Sequence, residues 1–339
     1  VILSSQPRSR PPQLHGGQSV ITGEAVAACG VGGVGVLEGL KQYLRAGEIA
    51  ARVREEAAQR LEPGTPVLEF CEWVETRIRE LGGAPAFPCN ISINEVAAHY
   101  TPVIGDELRV PEDAVVKIDL GVHVEGYIAD TAVTVDLGGK WQPLLEAVRE
   151  ALERALQTVK PGARFAETGK VIAETIEKYG FRPIVNLGGH SLGRYRIHAG
   201  ESIPNMYDPS VRGRYRAGAA YAIEPFGTNG EGLVYEGDQV TIYALVRPSL
   251  RRRLEPIGRR LIRVINERFR TLPFTERWLS DVVSDVEVLR KWLRRLSKMG
   301  FLVSYPVLIE RGGGVVAQFE HTLVLTEEGD VIVTTAPKG

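Results

Sequence analysis

Residues 114–135 read AVVKIDLGVHVEGYIADTAVTV. β-Branched and apolar residues dominate the stretch, and Glu125-Gly126 breaks it midway, so it predicts two strands joined by a hairpin turn. Strands this apolar read as largely buried, which makes Asp119 and Asp130 conspicuous. If the turn spans two residues, the pair falls on one sheet face, directly or diagonally opposed, with Cβ atoms roughly 4.5–8 Å apart. Two carboxylates aimed at one spot among Val, Ile and Leu repel each other and are costly to desolvate. A bound dication removes that cost. Solvent exposure would remove it too, but fits poorly beside Ile118 and Ala129.

Working outward, a helix is predicted over 37–61, with Leu40, Leu44, Ile49, Val53 and Ala57 near helical spacing. Pro63-Gly64 breaks it and a second helix follows over 67–81. The same unit returns: helix over 144–159, a break at Pro161-Gly162, helix over 165–179. Two similar halves are implied, each pairing two helices with β-rich sequence, because the period is far longer than the roughly 20–50 residues of a solenoid repeat. Further strands are expected at 221–223, 239–246 and 317–325. Between the last two, residues 251–302 read as helical, around 257–269, 278–286 and 288–299. Strand, helical excursion, strand predicts an insertion between adjacent strands of one sheet. Fifteen Arg or Lys stand against six Asp or Glu over residues 247–299. The fold class is α+β.

A chain of 339 residues with 44% hydrophobic and 24% charged residues suits a soluble globular protein, one large domain with an insertion. Net charge of −1 excludes a strong overall pull toward DNA or an anionic membrane. No apolar run approaches the roughly 20 residues of a membrane-spanning helix. Cys29, Cys71 and Cys89 are scattered, forming neither a disulfide framework nor a CxxC zinc motif, which favours a reducing compartment. Residues 1–36, rich in Ser, Pro, Gln and Arg and then in Gly and Val, are expected to be a flexible extension. Gly30, Gly32 and Gly35 match GxGxxG there, but a second helix follows the first, so the βαβ unit of a dinucleotide site is missing.

Three more residues bear on the aspartate pair. His190 lies in what reads as a Gly-rich turn over 186–193, Glu224 ends the apolar run 221–223, and Glu320 sits in AQFEHTLVL (317–325), too apolar to hide a lone carboxylate without cause. Four carboxylates and one imidazole make an oxygen-rich donor set suited to two bridged divalent ions rather than to a Cys/His zinc site. The chemistry expected of such a pair is hydrolysis. A competing motif, Gly189-His190-Ser191-Leu192-Gly193, matches GxSxG, with Asp238 and His321 in triad order. A nucleophile elbow must enter a helix, however, and residues 194–210 contain Gly200, Pro204 and Pro209 with no helical period. The metal reading leaves Ser191 as a neighbour of the functional His190.

Five blocks then bear comparison with a known family. AVVKIDLGVHVEGYIAD (114–130), FPCNISINEVAAHYTP (87–102), NLGGHSLGRYRIHAG (186–200), AIEPFGTNGEG (222–232) and AQFEHT (317–322) resemble, in order, the signatures of the type II methionine aminopeptidases, and the similarity spans about residues 38–335. The resemblance implies the pita-bread fold, two pseudo-symmetric αβ halves enclosing a dimetal site, with a helical type II insertion. It implies Asp119, Asp130, His190, Glu224 and Glu320 as ligands of two divalent ions (Co, Mn, Fe or Zn), Asp130 and Glu320 bridging. It assigns His99 to the oxyanion or the substrate amine, His198 to the scissile carbonyl and P1′ amide, and Glu224 to proton shuttling. Phe87 and Ile197 correspond to walls of the methionine pocket, and Tyr305 to its mouth. Departures are Gly188 and Glu125, where small polar residues are usual, and Ile242, where some members carry histidine. His123 is expected to be a half-buried strand residue and His321 structural.

The activity so implied is removal of the initiator methionine from nascent proteins in the cytoplasm, with a small second residue preferred. An X-Pro aminopeptidase or prolidase is the alternative of the same fold, and a non-catalytic relative that binds ribosome or RNA the alternative of another class. The expected layout is an extension over 1–36, a catalytic domain over 37–247 and 303–339, and a basic insertion over 248–302. That insertion reads most simply as a solvated face; the functional reading is transient docking on ribosomal RNA.

Overall fold

The computed structural model describes residues 21–22, 38–246 and 254–336. The extension expected over residues 1–36, with its GxGxxG, lies outside the described residues except for Ile21–Thr22, a two-residue strand parallel to Val331–Val333.

The hairpin that opens the sequence argument forms strands Val115–Val124 and Tyr127–Asp136. Its turn is the two residues Glu125 and Gly126, both at positive φ (54° and 91°), as a tight hairpin matched to strand twist requires. Val124 pairs with Tyr127, and the register puts Asp119 opposite Ala132 and Asp130 opposite Gly121. The two aspartates are therefore diagonal neighbours on one face. Ala84–Ile93 completes a three-stranded sheet on the other side of Val115–Val124.

Alternation decides what each face meets. Val116, Ile118, Leu120 and Val122 pack against Ile49, Val53, Val74 and Ile78 from helices α1 (Leu40–Arg60) and α2 (Val67–Glu80). Each such side chain, fully buried, contributes on the order of 1.5–3 kcal/mol. Asp119 and Asp130 point the opposite way, away from the helices. The second half repeats the plan. Helices α3 (Gln142–Thr158) and α4 (Phe165–Lys178) cover Tyr221, Ile223, Leu323 and Leu325 of the six-stranded sheet. Ala222 and Glu224 thereby face inward.

The duplication extends to the turns. Gly64 and Gly162 adopt φ of 80° and 82°. Gly64 donates to the Val110 carbonyl and accepts from Arg109 Nη1; Gly162 donates to the Tyr215 carbonyl and accepts from Arg214 Nη1. A 105-residue offset relates Arg109 to Arg214, and the same offset relates Asp119 to Glu224.

The halves are joined where Tyr127–Asp136 meets residues 318–322. Thr322 Oγ1 accepts from Asp130 N (2.7 Å) and donates to Asp130 O (2.8 Å). Thr131 Oγ1 donates to Glu320 O, Glu320 N donates to Ala132 O, and Thr134 Oγ1 donates to Gln318 O.

Several expectations differ in detail. The Gly-rich turn expected over 186–193 holds a strand, Gly188–Leu192, whose glycines let it lie close against Ile203 and Ala222 of its two neighbours. The strand expected over 317–325 is two, Val316–Gln318 and His321–Leu325, because Glu320 leaves the ladder to bridge Ala132. The helix expected over 278–286 is a single 3₁₀ turn, Glu276–Leu279, while α5 (Pro256–Arg268) and α6 (Val286–Lys298) form near the other two segments. Asp285 caps α6 by accepting from Val288 N. Both helices lie between strands Val234–Leu245 and Leu302–Glu310, which pair with each other antiparallel from Val234/Glu310 to Leu245/Leu302. Among the described residues no helix is long and apolar enough to cross a membrane.

A buried clasp ties the 3₁₀ turn to the first half. Arg277 donates from Nη1 and Nη2 to both Glu75 oxygens (3.0 and 2.7 Å) and from Nε to Pro102 O, while Trp278 Nε1 donates to Glu75 Oε2. Both charged side chains are nearly inaccessible. Removing one partner strands the other charge, so Glu75→Ala is expected to lower stability by about 3–5 kcal/mol in urea denaturation, and Glu75→Leu/Arg277→Met to recover much of that loss. A Glu75→Ala variant as stable as wild type contradicts the clasp.

Candidate metal centre

Five polar side chains come together where the two inner faces meet. Asp119 and Asp130 come from the hairpin; His190 lies on Gly188–Leu192, paired opposite Ala222; Glu224 directly follows Ala219–Ile223; Glu320 stands at the bridge to Ala132. Asp130, His190 and Glu320 each offer a ligand atom within 4.8 Å of the others. His190 Nε2 lies 3.6 Å from Asp130 Oδ2 and 3.4 Å from Glu224 Oε1. All five line one cavity of about 420 Å³.

None of the four carboxylates has a lysine or arginine ion-pair partner among the described residues. Asp119 Oδ1, Asp130 Oδ1 and Glu320 Oε1 are buried with no hydrogen-bond partner. Such groups are expensive unless something outside the chain satisfies them. Burial pushes the Asp119 carboxyl up to about 7. Burial, and then the neighbouring carboxylates, push Asp130, Glu224 and Glu320 well above the usual range. Burial also pulls the His190 imidazole down to about 3, keeping it neutral. Clustered carboxylates and a neutral imidazole, with orphaned oxygens, fit hard or borderline divalent cations; among the described residues no Cys lines the cavity.

His99, His198, Phe87, Ile197 and Tyr305 line the same cavity, so all ten site residues implied by the resemblance do. His99 Nδ1 lies 3.2 Å from Pro306 O, and burial lowers its imidazole to about 4. A carbonyl can only accept, so Nδ1 carries the proton and Nε2 is left as an acceptor. His198 stacks edge-on to His190 at 4.5 Å, and Tyr305 meets both His99 (5.6 Å) and His198 (6.1 Å). Phe87 lies across from Gly121, where a Cβ would stand 2.2 Å from the ring, so the wall depends on that glycine.

Sequence reasoning assigned nothing to Gln318, Asn90 or Pro273. Gln318 Nε2 donates to Glu224 Oε2 (3.3 Å); Asn90 pairs with Asp119 in register and lines the cavity, as does Pro273 from the helical excursion. Gln318 precedes Glu320 by two residues, a spacing that could have flagged it. His321 turns away, within reach of Thr335 Oγ1 and Arg54, and His123 accepts from Gly126 N. Ser191 stays within a strand and accepts from Glu201 N, with no helix after it. The nucleophile-elbow geometry is absent.

A model of metallopeptidase family M24 matches residues 41–327. A methionine aminopeptidase of Methanocaldococcus jannaschii is 47% identical over 300 residues, covering 88% of this chain and 99% of its own length. Among solved structures, a thermophilic Arx1 superposes with a TM-score of 0.79 at 17% identity, covering 89% of this chain and 92% of its own. A methionine aminopeptidase of Thermotoga maritima gives 0.64 at 22%, covering 88% and 97%. These two likenesses show the fold, the pita-bread arrangement of helices outside and facing sheets within.

The raised carboxyl values give a pH signature. Folded protein free of metal holds protons that the unfolded chain, with carboxyls near 4, releases, so its stability falls as pH rises through about 7 and beyond. The lowered values of His99 and His190 act oppositely, but only below about 6.5. With chelator, Tm is expected to decline from about pH 6.5 to 8.5, and saturating Mn²⁺ or Co²⁺ to abolish the decline. A flat Tm in chelator contradicts the buried, unpaired cluster.

Proposed function

The chain belongs to metallopeptidase family M24, and from that premise we propose that it is a methionine aminopeptidase, removing methionine from the N-terminus of polypeptides. The reading rests on one observation above others: four carboxylates, Asp130 and Glu320 fully buried among them, and one neutral imidazole line a single cavity, and among the described residues no lysine or arginine pairs with them. Near-half identity with a methionine aminopeptidase over almost its whole length supports the substrate.

In our assignment Asp119, Asp130, His190, Glu224 and Glu320 would hold two divalent ions. When bound, the ions supply Lewis acidity toward the scissile carbonyl and a water acidified to near neutral pH. Phe87, Ile197 and Ile242 form the apolar wall on which a thioether side chain packs. His99, its Nδ1 proton directed at Pro306, offers an acceptor that suits the N–H of the substrate's terminal amine better than an oxyanion. His198 can donate to the scissile carbonyl oxygen. Glu224, held by Gln318, is positioned to take a proton from the attacking water and return it to the leaving amine. A small second residue is preferred in this reading, and the setting is the cytoplasm, where new N-termini emerge.

We assign residues 248–302 as the insertion. Arg259, Arg260, Arg263, Lys291, Arg294 and Lys298 stand exposed on α5 and α6 and have no ion-pair partner among the described residues, which supports transient docking on ribosomal RNA over a purely solvated face. Co-sedimentation with ribosomes is expected at low salt and lost at high salt; binding indifferent to salt contradicts an electrostatic contact.

For catalysis, protein loaded with metal is expected to release methionine from Met-Gly and Met-Ala peptides, to leave X-Pro peptides intact, and to stop on chelation. Glu320→Ala is expected to reduce kcat/KM by more than about 100-fold, since even outer-shell losses reach that size. Mass spectrometry of the products decides it. Activity persisting in Glu320→Ala refutes the ligand assignment, and cleavage of X-Pro peptides in preference refutes the substrate.

A further inference from the structure

The site cavity abuts a second, smaller groove of about 280 Å³. The two share His99, Asn186, Leu187 and Tyr305, and the groove continues outward along Tyr235 and Glu236. Tyr305 is the partition, meeting the two histidines of the cavity and also lining the groove.

The outer wall is unusual for a surface. Tyr235 is a large aromatic side chain left 50% exposed. Its backbone is nonetheless fixed: it pairs with Ile309 in the ladder, and Asn186 clamps the preceding residue, donating to Val234 O (2.8 Å) and accepting from Val234 N (3.0 Å). An aromatic ring held by rigid backbone presents contact area at little entropic cost. Beside it Glu236 is exposed and has no ion-pair partner among the described residues. A wider depression near Met206 and Tyr207 shares only Val185 with the site cavity, so it is far less continuous with it.

We propose that this groove binds the third and following residues of the polypeptide substrate, in extended form, with the third side chain against Tyr235 and a cationic residue there favoured over an acidic one by Glu236. The proposal rests on the aminopeptidase reading. A polypeptide whose first peptide bond lies in the cavity must leave it, and an extended chain advances about 3.3 Å per residue, so residue three lies roughly 7 Å beyond residue one. The groove that adjoins His99 and Tyr305 is the surface continuous with that exit. Recognition would then reach beyond the first two residues, and Tyr235 and Glu236 would set a preference without touching the reacting atoms.

The test compares kcat/KM for Met-Ala-NH₂, Met-Ala-Lys-Ala-Ala and Met-Ala-Glu-Ala-Ala in the metal-loaded wild type, Tyr235→Ala and Glu236→Lys. The amide ends before the groove. Tyr235→Ala is expected to leave it unchanged within about twofold and to lower the lysine pentapeptide about three- to tenfold, the loss of one good interface contact. Wild type is expected to favour the lysine over the glutamate peptide, and Glu236→Lys to reverse that order. No loss with Tyr235→Ala, or an equal loss on all three substrates, overturns the groove while leaving the activity standing. Wild type inactive even on Met-Ala-NH₂ overturns the activity itself, and the groove with it.

Discussion

Four carboxylates brought into one cavity around one neutral imidazole, with three of their oxygens buried and unpartnered, form an arrangement that a polypeptide stabilises poorly by itself. Burial, and then the charge of neighbouring carboxylates, raise the proton affinity of Asp130, Glu224 and Glu320, and no lysine or arginine among the described residues pairs with them. The cost must be met elsewhere, by the two hydrophobic cores behind the sheets and by cations the cluster can bind. The rest of the molecule is legible as the means of holding that cluster together.

Duplication is the means. Each half places two helices on the outer face of a sheet, so that alternation along the strands sends every second residue inward. Asp119 and Glu224, separated by the same 105 residues as the turn-bracing arginines, are the inward residues at corresponding places. Of the remaining three donors, His190 comes from the strand beside Ala219–Ile223 and the other two from the seam. Asp130 is fastened to Thr322 through two hydrogen bonds, and Glu320 is drawn out of its own strand by Ala132. Hydrogen bonds across the seam therefore set the ligand positions, and a site built this way is stiff.

Much of this could be read in the sequence, because the signals were local. The paired Pro-Gly breaks announced two halves, and a polar two-residue turn between apolar runs fixed the register that makes Asp119 and Asp130 diagonal neighbours. Carboxylates in apolar runs stood out for the same reason. What escaped depended on distant partners. The apolar pattern of 317–325 reads as one strand, yet a single backbone hydrogen bond to Ala132 breaks it. Residues 278–286 read as helical, but only the 3₁₀ turn Glu276–Leu279 forms there, tied to Glu75 about 200 residues earlier in the chain. Strands Ala84–Ile93 and Leu302–Glu310 went unread because proline and mixed burial obscure their alternation. Gln318 and Asn90 are ordinary polar residues until the fold brings them to Glu224 and Asp119.

The cluster's two-cation occupancy is the claim on which fold, stability and catalysis all turn. Anomalous diffraction from crystals soaked in Mn²⁺, collected on either side of the manganese absorption edge, addresses it most directly. The account predicts two adjacent manganese peaks, contacted between them by Asp119, Asp130, His190, Glu224 and Glu320. A cavity without anomalous signal at saturating Mn²⁺, or peaks held by other residues, would contradict it.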